Sequence, residues 1–169
     1  MRSWALMPFL LGVLFTGPAW ATDYAAVSLT ETAAVLMDPT RVTGNEQRTT
    51  AWFVMIFRAR ERGEYFSQSL IEFDCSGRQR RVLANAAYDV NGTSLSTNRT
   101  PGPWQTIFPN TVGETMANFV CGPATARARL VSETLLRDVN LVTLSQLMAR
   151  SWPTTEPTGS SASAFPPVR

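Results

Sequence analysis

The sequence predicts an α+β fold: an antiparallel sheet of about five or six strands, a helix disulfide-bonded to one face of the sheet, and a further C-terminal helix. Several apolar segments with strand-like composition follow one another, with short glycine-containing turns between them. Residues 111–121 combine a helix-capping pattern with apolar side chains at helical spacing. The only two cysteines, Cys75 and Cys121, end a predicted strand and this predicted helix.

The first 21 residues have the pattern of a secretory signal peptide. Arg2 precedes a short apolar run, Gly17-Pro18 breaks it, and Ala19-Trp20-Ala21 fits a cleavage site. The alternative, a membrane anchor, needs a longer apolar run of about 20 residues. We therefore expect residues 1–21 to be removed and the mature chain to be exported to the periplasm or the cell surface.

Export favours a bond between the two cysteines, because exported proteins fold in an oxidising compartment. A bond between Cys75 and Cys121 would close a loop of about 46 residues, for which chain entropy predicts a stabilisation of about 4 kcal/mol. Two buried thiols are the alternative.

The predicted strands begin shortly after the cleavage site. Residues 25–29 and 33–37 are short, mostly apolar runs that fit either two strands or a short helix, and the strands that follow favour the first. Asp38-Pro39 and Thr43-Gly44-Asn45 have the composition of turns. Residues 48–60 form the strongest strand, and apolar side chains at both odd and even positions predict that both its faces are covered.

Two further strands complete a predicted antiparallel meander. Residues 66–75 alternate in polarity, which places Ile71, Phe73 and Cys75 on the core face. Residues 79–90 return after the Ser76-Gly77 turn. On the strand formed by residues 79–90, simple alternation places Val82 and Ala84 on one face.

The segment beyond this strand is expected to form the edge of the sheet. Asn91-Gly92 is a strong hairpin signal, and residues 95–97 fit a short edge strand. Residues 101–103, Pro-Gly-Pro, cannot lie inside a ladder.

Helices are predicted for the last third of the chain. Thr111 and Glu114 form a capping box, and Gly122-Pro123 ends the helix. Residues 126–150 have apolar side chains at roughly helical spacing, which predicts a helix or a helix pair packed on the sheet as a C-terminal extension. The Pro-, Ser- and Thr-rich residues 151–169 are expected to form a flexible tail.

Six short motifs in a fixed order carry a resemblance to a known family. They are Trp52 in an aromatic strand, Ile71-Glu72-Phe73-Asp74-Cys75, Arg81-Val82-Leu83 leading to Tyr88, Pro103-Trp104, Ile107-Phe108-Pro109, and Val112-Gly113-Glu114 before Cys121. In this order and spacing, the segment from about residue 50 to residue 121 resembles the surface-adhesin protein E family of exported bacterial proteins. The resemblance implies a domain over residues 22–125 with a helix disulfide-bonded to a sheet. The family takes its name from an adhesin that binds host proteins.

The composition excludes most of the common kinds of catalytic and metal-binding site. Histidine is absent, and all fifteen basic residues are arginine. The commonest general base and metal ligand is therefore missing, and two cysteines alone cannot form a four-ligand zinc site. A net charge of +2, which falls further if Arg2 is removed, gives no electrostatic case for nucleic-acid binding. We expect no enzymatic activity, no cofactor, no metal site, and no membrane span after signal cleavage.

Two groups of side chains are candidates for binding a protein partner. Arg78, Arg80 and Arg81 cluster after Cys75 and could bind an acidic protein surface, because arginine suits bidentate carboxylate contacts; a solvated strand end is the alternative. Trp104 and Phe108, in a proline-rich segment, could contact a ligand or pack under the loop.

A third pair of side chains raises the question of catalysis. Glu72 and Asp74 share a strand face and could act as an acid–base pair, but no third partner is identifiable, which favours a solvent-facing role. We expect a non-enzymatic exported binding protein, such as an adhesin for a host or envelope protein of unknown identity. An accessory periplasmic structural protein with no host ligand is the alternative.

Overall fold

In the part of the chain that the structure describes, an antiparallel sheet of nine strands forms the middle layer, with helices on both faces. The structure is a computed structural model that describes residues 22–58 and 63–152. The predicted signal peptide 1–21, residues 153–169 of the predicted tail, and Arg60 at the end of a predicted strand lie outside the described residues.

The strands follow the order β7-β6-β5-β4-β2-β1-β9, while β3 pairs with β4 and β8 pairs with β6. All of these pairings are antiparallel. The strands are β1 (Thr22–Leu29), β2 (Ala33–Met37), β3 (Thr43–Gly44), β4 (Arg48–Phe57), β5 (Phe66–Asp74), β6 (Gln79–Tyr88), β7 (Ser94–Asn98), β8 (Gln105–Thr106) and β9 (Leu135–Val139).

The α+β class is confirmed, but the sheet has more strands than the five or six expected. Two of the additional strands, β3 and β8, contain only two residues each. β3 pairs with the long strand β4, and β8 pairs with the long strand β6. The ambiguous runs near the N-terminus form two strands, as the strand alternative predicted.

Helix α1 (Val112–Cys121) lies on one face of the sheet, where it closes the larger core. Its Met116, Phe119 and Val120 are buried against β-strand side chains such as Phe53 and Phe73. The disulfide between Cys75 and Cys121 is formed, and its two Cα atoms are 5.5 Å apart. The predicted covalent link between strand and helix is therefore confirmed.

The start of α1 follows the predicted cap with one difference. The Thr111 hydroxyl accepts a hydrogen bond from the Glu114 backbone N–H at 3.2 Å. The Glu114 carboxylate, however, accepts from the backbone N–H of Asn110 at 2.8 Å, one residue before the position a capping box uses. The loop before the helix is thereby tied to its first turn.

The opposite face of the sheet is covered by helix α3 (Leu141–Ser151). Its Leu144 and Met148 pack against a second core that includes Val54 and Ile56 of β4. Because neighbouring residues of a strand point to opposite faces, Phe53 and Val54 serve different cores. The prediction that this strand is covered on both faces is confirmed.

Of the helix or helix pair expected over 126–150, the structure has a pair, but a strand that was not expected lies between the two helices. Helix α2 (Ala124–Thr134) is followed by strand β9, which pairs with β1, and only then by α3. The open side of β1 offers backbone hydrogen-bonding groups that need partners, and β9 supplies them. Ser151 still belongs to α3 and Trp152 is only 9% exposed, so ordered structure continues into the range predicted as tail.

Candidate functional site

Strand β8 brings all five predicted partner-binding residues to one corner of the sheet. Its residues pair with Gln79 and Arg80 at the start of β6, and the Ile107 backbone N–H donates to the Arg78 carbonyl at 2.9 Å. The aromatic residues on either side of β8 are therefore held beside the arginines of β6 and the turn before it. We name this surface, formed by Arg78, Arg80, Arg81, Trp104 and Phe108, the β6–β8 corner.

The pleat of β6 divides the β6–β8 corner between the two sheet faces. Arg80 lies opposite Phe73, whose side chain is buried in the α1 core, whereas Arg81 lies opposite Glu72. Cross-strand partners point to the same face. Arg80 therefore belongs to the α1 face and Arg81 to the α3 face.

On the α3 face, two arginines and a glutamate hold Trp104. The Arg81 Nε and Nη2 atoms are each 2.7 Å from Glu72 Oε2, and Arg48 Nη1 is 3.7 Å from Glu72 Oε1. The guanidinium carbons of Arg81 and Arg48 lie 4.5 and 5.2 Å from the centroid of the Trp104 ring. Such contacts favour a fixed ring position, because the negative face of indole attracts a cation. Trp104 is partly buried, so it is both packed and accessible.

On the α1 face, Phe108 projects beside a shallow groove. Its side chain is 66% exposed, and the groove, of about 530 Å³, is lined by Arg80, Val112 and Gly113 among others. A Cβ at Gly113 would lie 3.3 Å from Arg80 Nε, so the glycine lets the arginine lie close to the first turn of α1. An exposed phenylalanine next to a positive charge combines two features of protein-binding surfaces.

Internal ion pairs limit the charge that the β6–β8 corner offers to a partner. Arg78 Nη2 lies 2.8 Å from Glu114 Oε1, and Arg81 is bound by Glu72. Of Arg78, Arg80 and Arg81, only Arg80 has no carboxylate within ion-pair distance among residues 22–58 and 63–152. Arg80 is therefore the arginine best placed to meet an acidic group of a partner.

The two carboxylates considered for catalysis have structural partners. Glu72 is bound by two arginines, as described above. Asp74 Oδ1 accepts hydrogen bonds from the Gly77 backbone N–H at 2.8 Å and from the Ser76 hydroxyl at 2.9 Å. The Gly77 bond, and then the Ser76 bond, lowers the pKa of Asp74, because both stabilise the charged form. This carboxylate therefore caps the turn that follows β5.

The described part of the chain offers neither a cluster of ligands for a metal nor a membrane-spanning helix. No group of three or more acidic, histidine or cysteine side chains within it could hold a metal ion. Among its helices, none has the length and apolar character needed to cross a bilayer.

A cleft on the α3 face was not predicted from the sequence. Its walls include Tyr24 of β1, Trp52 of β4 and the start of α3, and its volume is about 360 Å³. Asp38, which the sequence placed in a turn with Pro39, also lines it, as does Arg41. The cleft lacks a sequence motif because its walls come from segments more than a hundred residues apart.

Comparison with known proteins gave a family but no individual relative. The family described as surface-adhesin protein E matches residues 24–122, which is more than half of the chain. The match begins in β1, runs through the disulfide and ends after α1, so it confirms the resemblance noted for residues 50–121 and extends it toward the N-terminus. No curated protein and no solved structure matches the chain.

Proposed function

Since the chain belongs to the surface-adhesin protein E family, we propose that it is an exported, non-enzymatic protein that binds a protein ligand through the β6–β8 corner. Family membership supports the adhesin-type role and the location outside the cytoplasm. The ligand would be a host or envelope protein. The observation that carries the choice of surface is the exposed ring of Phe108 beside Arg80 and a groove.

The α1 face of the corner has the make-up of a small binding hot spot. When a partner covers a large apolar side chain that is exposed in the free protein, removal of its surface from water stabilises the complex. The adjacent Arg80 has no described carboxylate partner and can pair with an acidic group at the rim of the interface. The Thr111 cap and the Glu114 contacts keep the loop that carries Phe108 in place, which reduces the entropy lost on binding.

Matched surface variants test this assignment. Phe108→Ser removes the exposed ring, and Leu29→Ser is the control because Leu29 is 73% exposed but lies on β1, away from β6 in the sheet. The mature protein would be added to purified extracellular-matrix proteins coated on plates and to solubilised envelope extract. We expect Phe108→Ser to reduce binding about tenfold or more and Leu29→Ser to leave it unchanged. Equal binding by both variants would reject the Phe108 surface.

The charge contribution has a separate test. Arg80→Glu should weaken binding and remove its sensitivity to salt, because an arginine–carboxylate contact at an interface rim is screened by ions. Arg99→Glu, in the loop after β7, is the matched charge reversal outside the corner. If both reversals weaken binding equally, the effect is one of net charge and not of a contact at Arg80.

Protease accessibility on intact cells separates the adhesin from the accessory protein. An adhesin should be digested by external protease and should bind in the plate assay. An accessory periplasmic protein with no host ligand should resist digestion and co-purify with an envelope component. Protection from protease in intact cells, together with absence of matrix binding, would overturn the adhesin proposal.

A further inference from the structure

The cleft on the α3 face shares no lining residue with the groove at the β6–β8 corner. It is large enough for one small molecule or the last residues of a peptide, at about 360 Å³. Two aromatic side chains, Tyr24 and Trp52, form part of its wall. Its polar lining residues are Thr22, Asp38, Arg41, Gln68 and Asn140.

Tyr24 has a buried ring and an unused hydroxyl. The residue is 7% exposed, and its hydroxyl makes no hydrogen bond to any residue in the described ranges. Burial, and then the Asp38 carboxylate, raises the pKa of Tyr24, so the hydroxyl keeps its proton as a donor. The ring is buried while the hydroxyl is open to the cleft and has no partner among the described residues, so a ligand acceptor can reach it.

Further hydrogen-bond donors line the cleft. The Gln68 amide oxygen accepts from the Tyr88 hydroxyl at 3.3 Å, which leaves the amide nitrogen as the free end of that side chain. The indole N–H of Trp52 makes no hydrogen bond to a residue that the structure describes. The cleft wall therefore carries side-chain donors that have no partner among the described residues.

The start of α3 adds backbone donors and a positive dipole end. The Asn140 side chain accepts from the Thr143 backbone N–H at 3.0 Å and so caps the third helical position. Leu141 and Val142 line the cleft, and their backbone N–H groups precede the first intrahelical bond, from Leu144 to Asn140, so they have no acceptor within the helix. Positive charge at a helix start favours an anionic group.

Asp38, the one carboxylate that the described residues contribute to the cleft wall, is held by its own neighbours. Asp38 is 4% exposed, accepts hydrogen bonds from the Thr40 hydroxyl and backbone N–H at 2.6 and 2.9 Å, and lies 3.3 Å from Arg41 Nε. The Arg41 side chain is 68% exposed, so part of its guanidinium remains available. If the chain is cleaved after Ala21 as predicted, the new α-ammonium at Thr22 adds a further positive charge.

We propose that this cleft binds the carboxylate of a small apolar acid or of a peptide C-terminus, with the carboxylate at the start of α3 and beside Tyr24 and the apolar part against Trp52. The arrangement fits because unpartnered donors, Arg41 and a helix start line a cleft in which Asp38, the one acid found there among the described residues, is ion-paired. Free acids and peptide C-termini share this chemistry, and the experiment below distinguishes them.

Nuclear magnetic resonance of the full exported protein tests the proposal directly. The probe is N-acetylphenylalanine, and N-acetylphenylalanine amide is the uncharged control. We expect the acid to shift the indole N–H signal of Trp52 with a dissociation constant below about 1 mM, and the amide to bind at least tenfold more weakly. The Trp104 indole signal should not move. Equal binding of acid and amide, or no shift at Trp52 at several millimolar, would overturn the proposal.

Two nearly isosteric variants locate the contacts. Tyr24→Phe removes only the unpartnered hydroxyl and should weaken acid binding about tenfold without lowering the melting temperature. Gln68→Glu keeps the acceptor for Tyr88 but places a negative charge in the cleft, so it should abolish acid binding and spare the weak amide binding. Trp104→Phe is the control that should bind like wild type. Acid binding that survives both cleft variants would contradict the assigned site.

A comparison of two further probes distinguishes the source of the carboxylate. Tighter binding of acetyl-Gly-Gly-Phe than of phenylacetate would identify a peptide C-terminus, because the cleft would then also contact the backbone. Equal or tighter binding of phenylacetate would identify a free small acid. Absence of binding by both would contradict the carboxylate assignment.

Discussion

Replacing Cys75 and Cys121 together with alanine measures how far their bond stabilises the fold. The double variant avoids a free thiol, which a single substitution would leave. The buried side chains of α1, including Met116 and Phe119, make apolar contacts in the core in addition to the bond. We therefore expect the variant to fold, with α1 in place, but with lower stability.

The expected loss follows from the length of the closed loop. The two cysteines are 46 residues apart in the chain, for which the loop-closure entropy gives about 4 kcal/mol at 25 °C. Unfolding entropy of about 2.1 cal/mol/K per residue over about 130 residues converts this to a fall in melting temperature of about 15 °C. The loss arises in the unfolded chain, which becomes freer when the bond is absent.

Urea unfolding followed by circular dichroism is the assay, with oxidised wild type as the reference. The variant should show a lower midpoint and a larger urea dependence of the unfolding free energy, because its unfolded state exposes more surface. Dithiothreitol should destabilise the wild type and leave the variant unchanged. A loss below about 1 kcal/mol would refute the loop-entropy reasoning. A variant without a cooperative transition would show that α1 cannot dock without the bond.

Three smaller perturbations test individual contacts. Thr111→Ala should cost about 1 kcal/mol in urea unfolding, because the Glu114 N–H loses its acceptor at the start of α1; a loss near zero would contradict the cap. Glu72→Gln should cost about 1 kcal/mol and broaden the Trp104 indole signal, because the arginines beside the ring lose their carboxylate; an unchanged signal would argue against the cluster. Since the pKa of Asp74 lies below its ordinary value of 3.8 in the folded state, protonation favours unfolding, and stability should fall as the pH drops through that region. Asp74→Asn should make this pH dependence shallower, and identical curves would contradict the assignment.

The sequence was most informative where the determining interactions are local. The alternation from Phe66 to Cys75 predicted strand β5 and its core face, and the Thr111 cap predicted the start of α1. Both signals come from residues within a few positions of one another. The disulfide could be predicted for a different reason, since only two cysteines are present and the predicted export favours their oxidation.

Long-range pairing explains where the sequence prediction failed. Residues 135–139 lie among apolar residues at helical spacing. They form a strand because they pair with the side of β1 that β2 leaves open. In β6 an irregularity pairs Ile71 with Val82 but Leu70 with Ala84, so Val82 and Ala84 point to opposite faces and the expectation of a shared face was wrong. Neither outcome can be read from local periodicity, because each depends on a neighbouring strand.

For the candidate sites too, the sequence supplied the residue types and the tertiary structure decided how they are arranged. The sequence by itself determined the arginine-only basic composition, the aromatic residues beside prolines, the paired cysteines and the kinship with surface-adhesin protein E. Only the tertiary structure decided that Arg81 and Arg78 are neutralised while Arg80 has no described carboxylate partner, and that Tyr24 and the start of α3 share a cleft. The physical reason is that charge pairing and cavity shape depend on distances in space, and folding brings together groups such as Arg78 and Glu114 that are 36 residues apart in the chain.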